Sequence, residues 1–544
     1  MAEPDLVRQG WDAVAAADWG AARDRFERAC ELEETAEALD GLGRARHFLG
    51  EYAPAIELTE RAFVAYRRDG RHVEAANAAR WLAFLHGAIN CNMAVASGWM
   101  GRAETLLAQE DEGPGHGWLA LDRAPFVDDA EERGRLASAA LAIARRHGDV
   151  ELEYDALALL GESHVVAGRV EVGMRLIDEA MTAVSAGEVS GVIPVGDIFC
   201  RLLSACEAAL DVARAEQWMA VAGQFDAWSD WVSPVCRSHY GAILVAVGRW
   251  SEAEEHLVAA VRTFETSYRL MRDAPLVTLA DLRVRQGRLD EARRLLEGHE
   301  SHPLARRTLA QVALAQGDAG LAEDLVGLCL EASSASDAAC APALELLVRI
   351  RLARDDLDGA HEALAHLEAL AAQSHDARAQ ALAGLAGGRV AAVEGDDRAS
   401  VLLQAALQGF VELDLRLEAA RTQLELGRAI ADSRPDAAVN EARLALRAFE
   451  ALGATGEADA AGALLRRLDS GGRAWPKRYG TLTKRETEVL VLLGEGCSNA
   501  QIAERLYISR RTAEHHVANI LSKLGLRNRA EAAAHAVRAT PEVP

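Results

Sequence analysis

The chain has 544 residues, half of them hydrophobic, 26% charged and only 5% aromatic, with a formal net charge of −24. That is too long for one hydrophobic core and too apolar for a disordered polymer, so several domains or a repeat array are expected. Mean hydropathy is −0.04, and no apolar run nears the roughly 18 residues of a membrane helix, so no membrane association is expected. The opening Met1-Ala2-Glu3-Pro4-Asp5 has neither a basic nor an apolar signal region, which points to a cytoplasmic location. The 8 cysteines include no C-x-x-C pair and read as reduced, mostly buried thiols, with no disulfide framework and no metal site. No phosphate-binding loop, dinucleotide fingerprint, zincin helix or nucleophile elbow occurs, so no catalytic residues and no cofactor are expected.

Taken from the N-terminus, the sequence repeats itself. The segments starting at Gly50, Gly168, Gly248 and Gly287 share one grammar. A turn glycine is followed two residues on by a bulky apolar residue (Tyr52, Val170, Trp250, Leu289). Five residues on stands a small one (Ala55, Gly173, Ala253, Ala292), and seven residues before the turn stands another (Gly43, Gly161, Gly241, Ala280). Weaker copies begin at Ala17, Gly317, Asp355 and Gly395. This predicts helix, tight turn, helix: small residues let paired helices approach, and the bulky residue wedges the next pair. The pattern resembles the tetratricopeptide family over most of residues 1–465. The resemblance implies an all-α superhelix, although the spacing drifts. Residues 111–117, Asp-Glu-Gly-Pro-Gly-His-Gly, interrupt the periodicity and read as a loop.

Between the repeats at Gly168 and Gly248, tryptophans cluster at 218, 228 and 231, with Trp250 close behind. Core wedging is the commoner fate of such a cluster. The sharper reading is an effector pocket for a small molecule or protein, with Trp218 and Trp231 as walls and Arg237 or His239 as polar anchor.

Charge separates the tail from the body. From Lys477 to Pro544 there are 11 Lys/Arg against 7 Asp/Glu, a net of +4, and all three lysines of the chain lie there; the rest carries −28. The expected organisation is a repeat body over 1–468, a Gly/Pro linker over 469–476 and a small basic domain over 477–544. An acidic body would be repelled by nucleic acid, whereas a basic tail domain can bind it. An acidic body could also mask Arg510, Arg511 and Lys523 in an off state. Capping pairs at Thr483/Glu486, Ser498/Gln501 and Asn528/Glu531, with Ser509 as a further N-cap, divide the tail into four short helices. A helix over 499–506, a short turn and a longer helix over about 510–524 make a helix-turn-helix, with its motif at 498–517.

On that third helix Ala513, Val517, Ile520, Leu521 and Leu524 form an apolar stripe. Arg511, Glu514, His515, Ala518 and Ser522 form the outward one. Arg pairs with guanine, Glu with the cytosine amino group and Ala with a thymine methyl, so the outward stripe reads as a base-reading edge. Ser509, Arg510, Thr512, Lys523, Arg527 and Arg529 flank it as candidate phosphate contacts. The segments L-T-K-R-E-T-E-V-L (482–490), G-C-S-N (496–499), I-A-E-R-L (502–506), I-S-R-R-T (508–512) and I-L-S-K-L-G (520–525) resemble the LuxR-type DNA-binding domain. The resemblance implies a third helix in the major groove of double-stranded promoter DNA and a homodimer through the fourth helix, at Ala532, Ala533, Ala536 and Val537. RNA polymerase is the expected further partner. Ala500 replaces the family's usual Lys, and Ala513-Glu514 its Val-Lys, so base preference should differ. The expected protein is a bacterial transcription regulator whose repeat body senses an effector. The alternative is a protein-interaction scaffold tethered by its tail to DNA or RNA polymerase.

Overall fold

The computed structural model describes residues 3–127, 129–222, 233–332, 338–374, 376–469, 482, 484–524, 526 and 528–539. Among them the chain is all-α, with helices following one another from Glu3–Ala15 to Arg529–Ala539 and no strand. No helix of the described residues is long and apolar enough to cross a membrane. Among the described residues no disulfide joins the eight cysteines, and five of them are buried. Two compact units emerge, residues 1–282 with 294–305 and residues 283–293 with 306–544.

The repeat grammar is carried out residue by residue. Helices Ala36–Phe48/Tyr52–Arg68, Val150–Val166/Val170–Ser185, Ser233–Ala246/Trp250–Thr266 and Asp273–Arg285/Leu289–Leu296 flank the four turn glycines. Gly50, Gly168, Gly248 and Gly287 have φ between +78° and +86°, the left-handed region where only glycine is free of a Cβ penalty. The weaker copies fold the same way, with Gly317 and Gly395 also left-handed and Ala17 and Asp355 taking φ of +56° and +58°.

The small residues are contact points. A Cβ on Gly161 would come within 2.7 Å of the Gly173 carbonyl, and one on Gly173 would meet the Gly161 carbonyl in turn. These helices therefore touch backbone to backbone. The wedge rule holds less evenly. Trp250 is buried at 4% exposure, Tyr52 and Leu289 are half-buried, and Val170 is exposed at 39%. Valine is short, and at Val170 the packing is completed by Gly173, Ile177 and Ala180 further along the helix.

The 111–117 loop is shorter than the sequence suggested. A helix already begins at Pro114 and runs to Arg123. Proline is suited to the first helical position because its missing N–H would have had no partner there. His116 Nδ1 accepts from the Gly113 N–H at 3.2 Å, closing the turn.

In the first unit, His47 is 1% exposed and ringed by Phe48, Tyr52, Trp81, Phe84 and Tyr268 at centroid distances of 4.9–6.2 Å. Its Nε2 lies 2.9 Å from the Tyr268 hydroxyl. Burial, and then the nearby Arg44, pull its pKa from 6.5 down to about 3. The unfolded chain therefore takes up a proton first as pH falls below 6.5, and folding stability is lost between pH 6.5 and about 3. At ~1.36 kcal/mol per unit, this amounts to about 1.4 kcal/mol by pH 5.5. Urea denaturation at pH 7.5 and 5.5 should show that loss in the wild type and a smaller one in His47→Gln.

Candidate nucleic-acid interface

The last four helices, Lys484–Gly494, Asn499–Leu506, Arg510–Leu524 and Arg529–Ala539, enclose a core of their own. Val489, Leu490, Leu493, Ile502, Ala513, Val517, Ile520, Ala532 and Ala536 are all buried in it. Leu521 and Leu524, from the apolar stripe, lie half-buried at its edge, as does Leu506. The second helix starts at a reciprocal cap: Ser498 Oγ accepts from the Gln501 N–H at 3.3 Å, and Gln501 Oε1 accepts from the Ser498 N–H at 2.8 Å. Ser498→Ala should destabilise the four-helix domain by about 1 kcal/mol, read as a lower urea midpoint at unchanged slope. The Thr483/Glu486 cap lies outside the described residues, as does most of the 469–476 linker.

Tyr507, at φ +50°, turns the chain between the second and third helices. Ser509 Oγ then caps the third helix, accepting from the Thr512 N–H at 3.0 Å. The burial pattern of that helix follows 3.6-residue periodicity. Ala513, Val517 and Ile520 face inward, while Arg510, Arg511, Glu514, His515 and Ala518 are exposed. Thr512 is half-buried between the two faces. Arg510 Nε donates to Glu514 Oε1 at 3.2 Å, with 75% and 48% of the two side chains open to solvent. The side chain of Ser522 and all of Arg527 lie outside the described residues. The half-buried His516 is held below the ordinary imidazole value by burial and then by Arg485, so it stays neutral near pH 7.

Two flanking cations are engaged within the protein. Lys523 Nζ donates to Glu486 at 2.7 Å, a carboxylate whose side chain is only 4% exposed, and so links the third helix to the first. Arg529 donates from Nη1 to Asn499 Oδ1 at 2.7 Å and from Nη2 to the Cys497 carbonyl, fastening the fourth helix to the start of the second. The spacings of 37 and 30 residues left these links without a sequence signal. The expected dimer face needs correction. Ala532 and Ala536 are buried in the domain's own core, at 0% and 3% exposure, because their side of the helix packs on Lys484–Gly494. Ala530 and Ala534 are exposed instead, and Val537's side chain lies outside the described residues.

The body meets this domain at its turn. Arg443 Nη2 donates to Tyr507 Oη at 2.6 Å, and its guanidinium lies 5.4 Å from the ring centroid. Gly462 admits the Tyr507 carbonyl where a Cβ would collide. Among the described residues, Arg510 and Arg511 are both exposed.

Of the candidate effector residues, Trp218 and His239 have partners within the protein. Trp218 Nε1 donates to Asp178 Oδ1 at 3.0 Å, and His239 Nδ1 lies 2.8 Å from Glu207 Oε2. Arg237, two residues before His239 on the same helix, is exposed. Trp231 and Trp228 lie outside the described residues, and Trp250 Nε1 donates to the Val245 carbonyl inside the core.

Residues 480–536 match the bacterial regulatory proteins of the LuxR family (GerE), so the C-terminal four helices are a LuxR-type helix-turn-helix domain. Transcriptional regulatory protein LnrK of Bacillus subtilis is 51% identical over 63 residues, 12% of this chain and 29% of that protein. Transcriptional regulatory protein LiaR of the same organism is 46% identical over 83 residues, 15% of this chain and 38% of that protein. The likeness thus spans well under half the length of these curated relatives and is confined to one end of this chain. Among solved structures, the APC/C hetero-tetramer Cut9-Hcn1 is similar with a TM-score of 0.45 at 14% identity, covering 86% of this chain and 96% of that one. Yeast Tom70 is similar with a TM-score of 0.34 at 12% identity, covering 79% of this chain and 96% of that one.

Proposed function

We propose that this protein is a bacterial DNA-binding transcriptional regulator acting in the cytoplasm. The observation that carries the reading is the exposed face of Arg511, Glu514, His515 and Ala518 on the third helix of a LuxR-type domain. An α-helix fits the major groove, and these side chains can meet base edges there. Ser509, Arg510 and Thr512, at the start of the same helix, would contact phosphates, aided by the free N–H groups of the helix N-terminus. The repeat body would receive an effector or protein partner, and RNA polymerase would be engaged at the promoter. Two copies would pair through the fourth helix, along the stripe Ala530, Ala533 and Ala534, because Ala532 and Ala536 are committed to the core.

The test is selection of bound fragments from the source genome with full-length protein, followed by competition against unrelated DNA over a salt series. A specific site should be retained over competitor, with log affinity falling linearly in log salt. Weak binding without sequence preference would replace the regulator by a scaffold tethered to DNA or RNA polymerase through its tail.

A further inference from the structure

In the second unit, five helices line a recess rich in arginine: Asp273–Arg285 through its last residue, Pro303–Ala315, Ala341–Ala353, Ala377–Glu394 and Arg416–Ala429. They contribute Arg285, Arg307, Arg349, Arg378, Arg389 and Arg421, against two lining carboxylates, Glu345 and Glu418. This excess of cations lies within a body that carries −28.

Part of the cluster is structural. Arg285 Nη1 pairs with Glu418 at 3.1 Å. Arg389 reaches Glu345, and its Nε also lies 3.3 Å from Glu425. Arg421 donates to Glu457 at 3.2 Å. Such pairs tie successive helices together and need no ligand. Arg349 and Arg378 do not fit that account. The nearest carboxylate oxygen to Arg349 is on Glu345 at 3.9 Å, and Glu345 is already committed to Arg389. No carboxylate among the described residues lies within 4 Å of the Arg378 guanidinium, whose electrostatic neighbours include Arg285 and Arg307 as well as Glu418.

Both guanidiniums are recessed, and both have their pKa lowered, first by burial and then, against the pull of Glu345 and Glu418, by neighbouring arginines. Recessed like charges cost free energy unless a counter-charge joins them. Arg349 nevertheless keeps 33% of its side chain open, so the recess is reachable from solvent. The free space in it is about 50 Å³, against the ~10–15 Å³ of such space that one water needs. That suits one compact oxyanion group, with the rest of a ligand extending outward. Guanidinium forks match the oxygens of a phosphoryl group two at a time.

We propose that this recess is a binding site for the phosphoryl group of a small phosphorylated ligand, held between Arg349 and Arg378 and braced by Arg389 and Arg421. The site lies on the repeat body and stands whether or not the tail binds DNA.

The experiment uses the full chain with inorganic pyrophosphate as the probe, at constant ionic strength, read by calorimetric titration and by Tm. Pyrophosphate should bind saturably and raise Tm. Arg349→Gln and Arg378→Gln should each weaken binding at least tenfold while leaving the Tm of the free protein unchanged or higher, since neither removes a close ion pair. Arg398→Gln, at an arginine 79% exposed and paired with Asp396, should bind like the wild type. Absence of saturable binding, or equal binding by both recess variants, would overturn the site. A loss of Tm in both without a change in binding would make the arginines purely structural. Tighter binding of citrate than of pyrophosphate would overturn the phosphoryl assignment.

Discussion

Phe26→Ala should destabilise the first unit by about 3–5 kcal/mol, the range for truncating a fully buried aromatic side chain. Phe26 has 0% exposure and lies against two glycines. A Cβ on Gly10 would come within 2.6 Å of its ring, and one on Gly41 would also overlap it. Trp11 meets the ring edge-on at 5.4 Å. One side chain thus joins helices Glu3–Ala15, Trp19–Leu32 and Ala36–Phe48. Because the backbones at Gly10 and Gly41 lie against the ring, its aliphatic neighbours Val7, Leu42 and Leu58 can fill only part of the space left behind. The check is urea denaturation followed by tryptophan fluorescence, with DNA binding measured on the protein that remains folded. A loss below 1 kcal/mol would mean the first three helices do not share this core. Unchanged DNA affinity is expected, since the C-terminal domain has separate core residues.

The repeats were legible because two of their requirements admit few residue types. A left-handed turn favours glycine, and backbone-to-backbone packing favours glycine or alanine, so Gly168, Gly161 and Gly173 announce a helix pair together. Pairs that meet the first requirement with other residues left a weaker mark, as at Ala17 and Asp355, or none. Cys91 and Leu210 take φ of +52° and +55° at the turns after His72–Ala88 and Val192–Ala209, despite a cost of roughly 1–2 kcal/mol each for an L-residue. Nothing in the sequence separates them from ordinary helical positions. Pro114 was misread for a related reason: proline both breaks helices and begins them, and only the cap at Gly113 decides which.

The two faces of the third helix were legible at Ala513, Val517 and Ile520 and at Arg511, Glu514, His515 and Ala518, since inward and outward stripes are a matter of period alone. The supports of that helix were not. Glu486–Lys523, Asn499–Arg529 and Arg443–Tyr507 join residues 30 to 64 positions apart, and only the fold brings them together. The same holds for the arginine recess, whose six members come from five helices spread over residues 285–421. The fourth helix shows the converse limit. Its alanines suit a dimer contact and a domain core equally well, and the packing against Lys484–Gly494 assigned Ala532 and Ala536 to the core.

Glu514→Lys should change which DNA sequences are selected, and Arg511→Ala should weaken binding to the preferred site, each by about 1–3 kcal/mol at one base pair. Both side chains are exposed on the outward stripe, three residues apart and therefore neighbours on one helix face. A carboxylate there is costly beside phosphates unless it gains something, and a cytosine amino group is the donor it can reach in the major groove. The plain alternative is that Glu514 only favours the positive end of its helix and pairs with Arg510 at 3.2 Å. A pair this exposed is worth at most about 1 kcal/mol and would leave sequence choice untouched. Selection from a random-sequence pool with wild type and Glu514→Lys separates the two, because an unchanged consensus removes the base-reading role. Arg510→Ala completes the comparison. As a phosphate contact it should weaken binding to all sequences alike and flatten the salt slope by about 0.9, whereas Arg511→Ala should relax preference at one position. If Arg510→Ala shifted the consensus and Arg511→Ala did not, the two arginines would exchange roles and the reading face would be rotated by one residue.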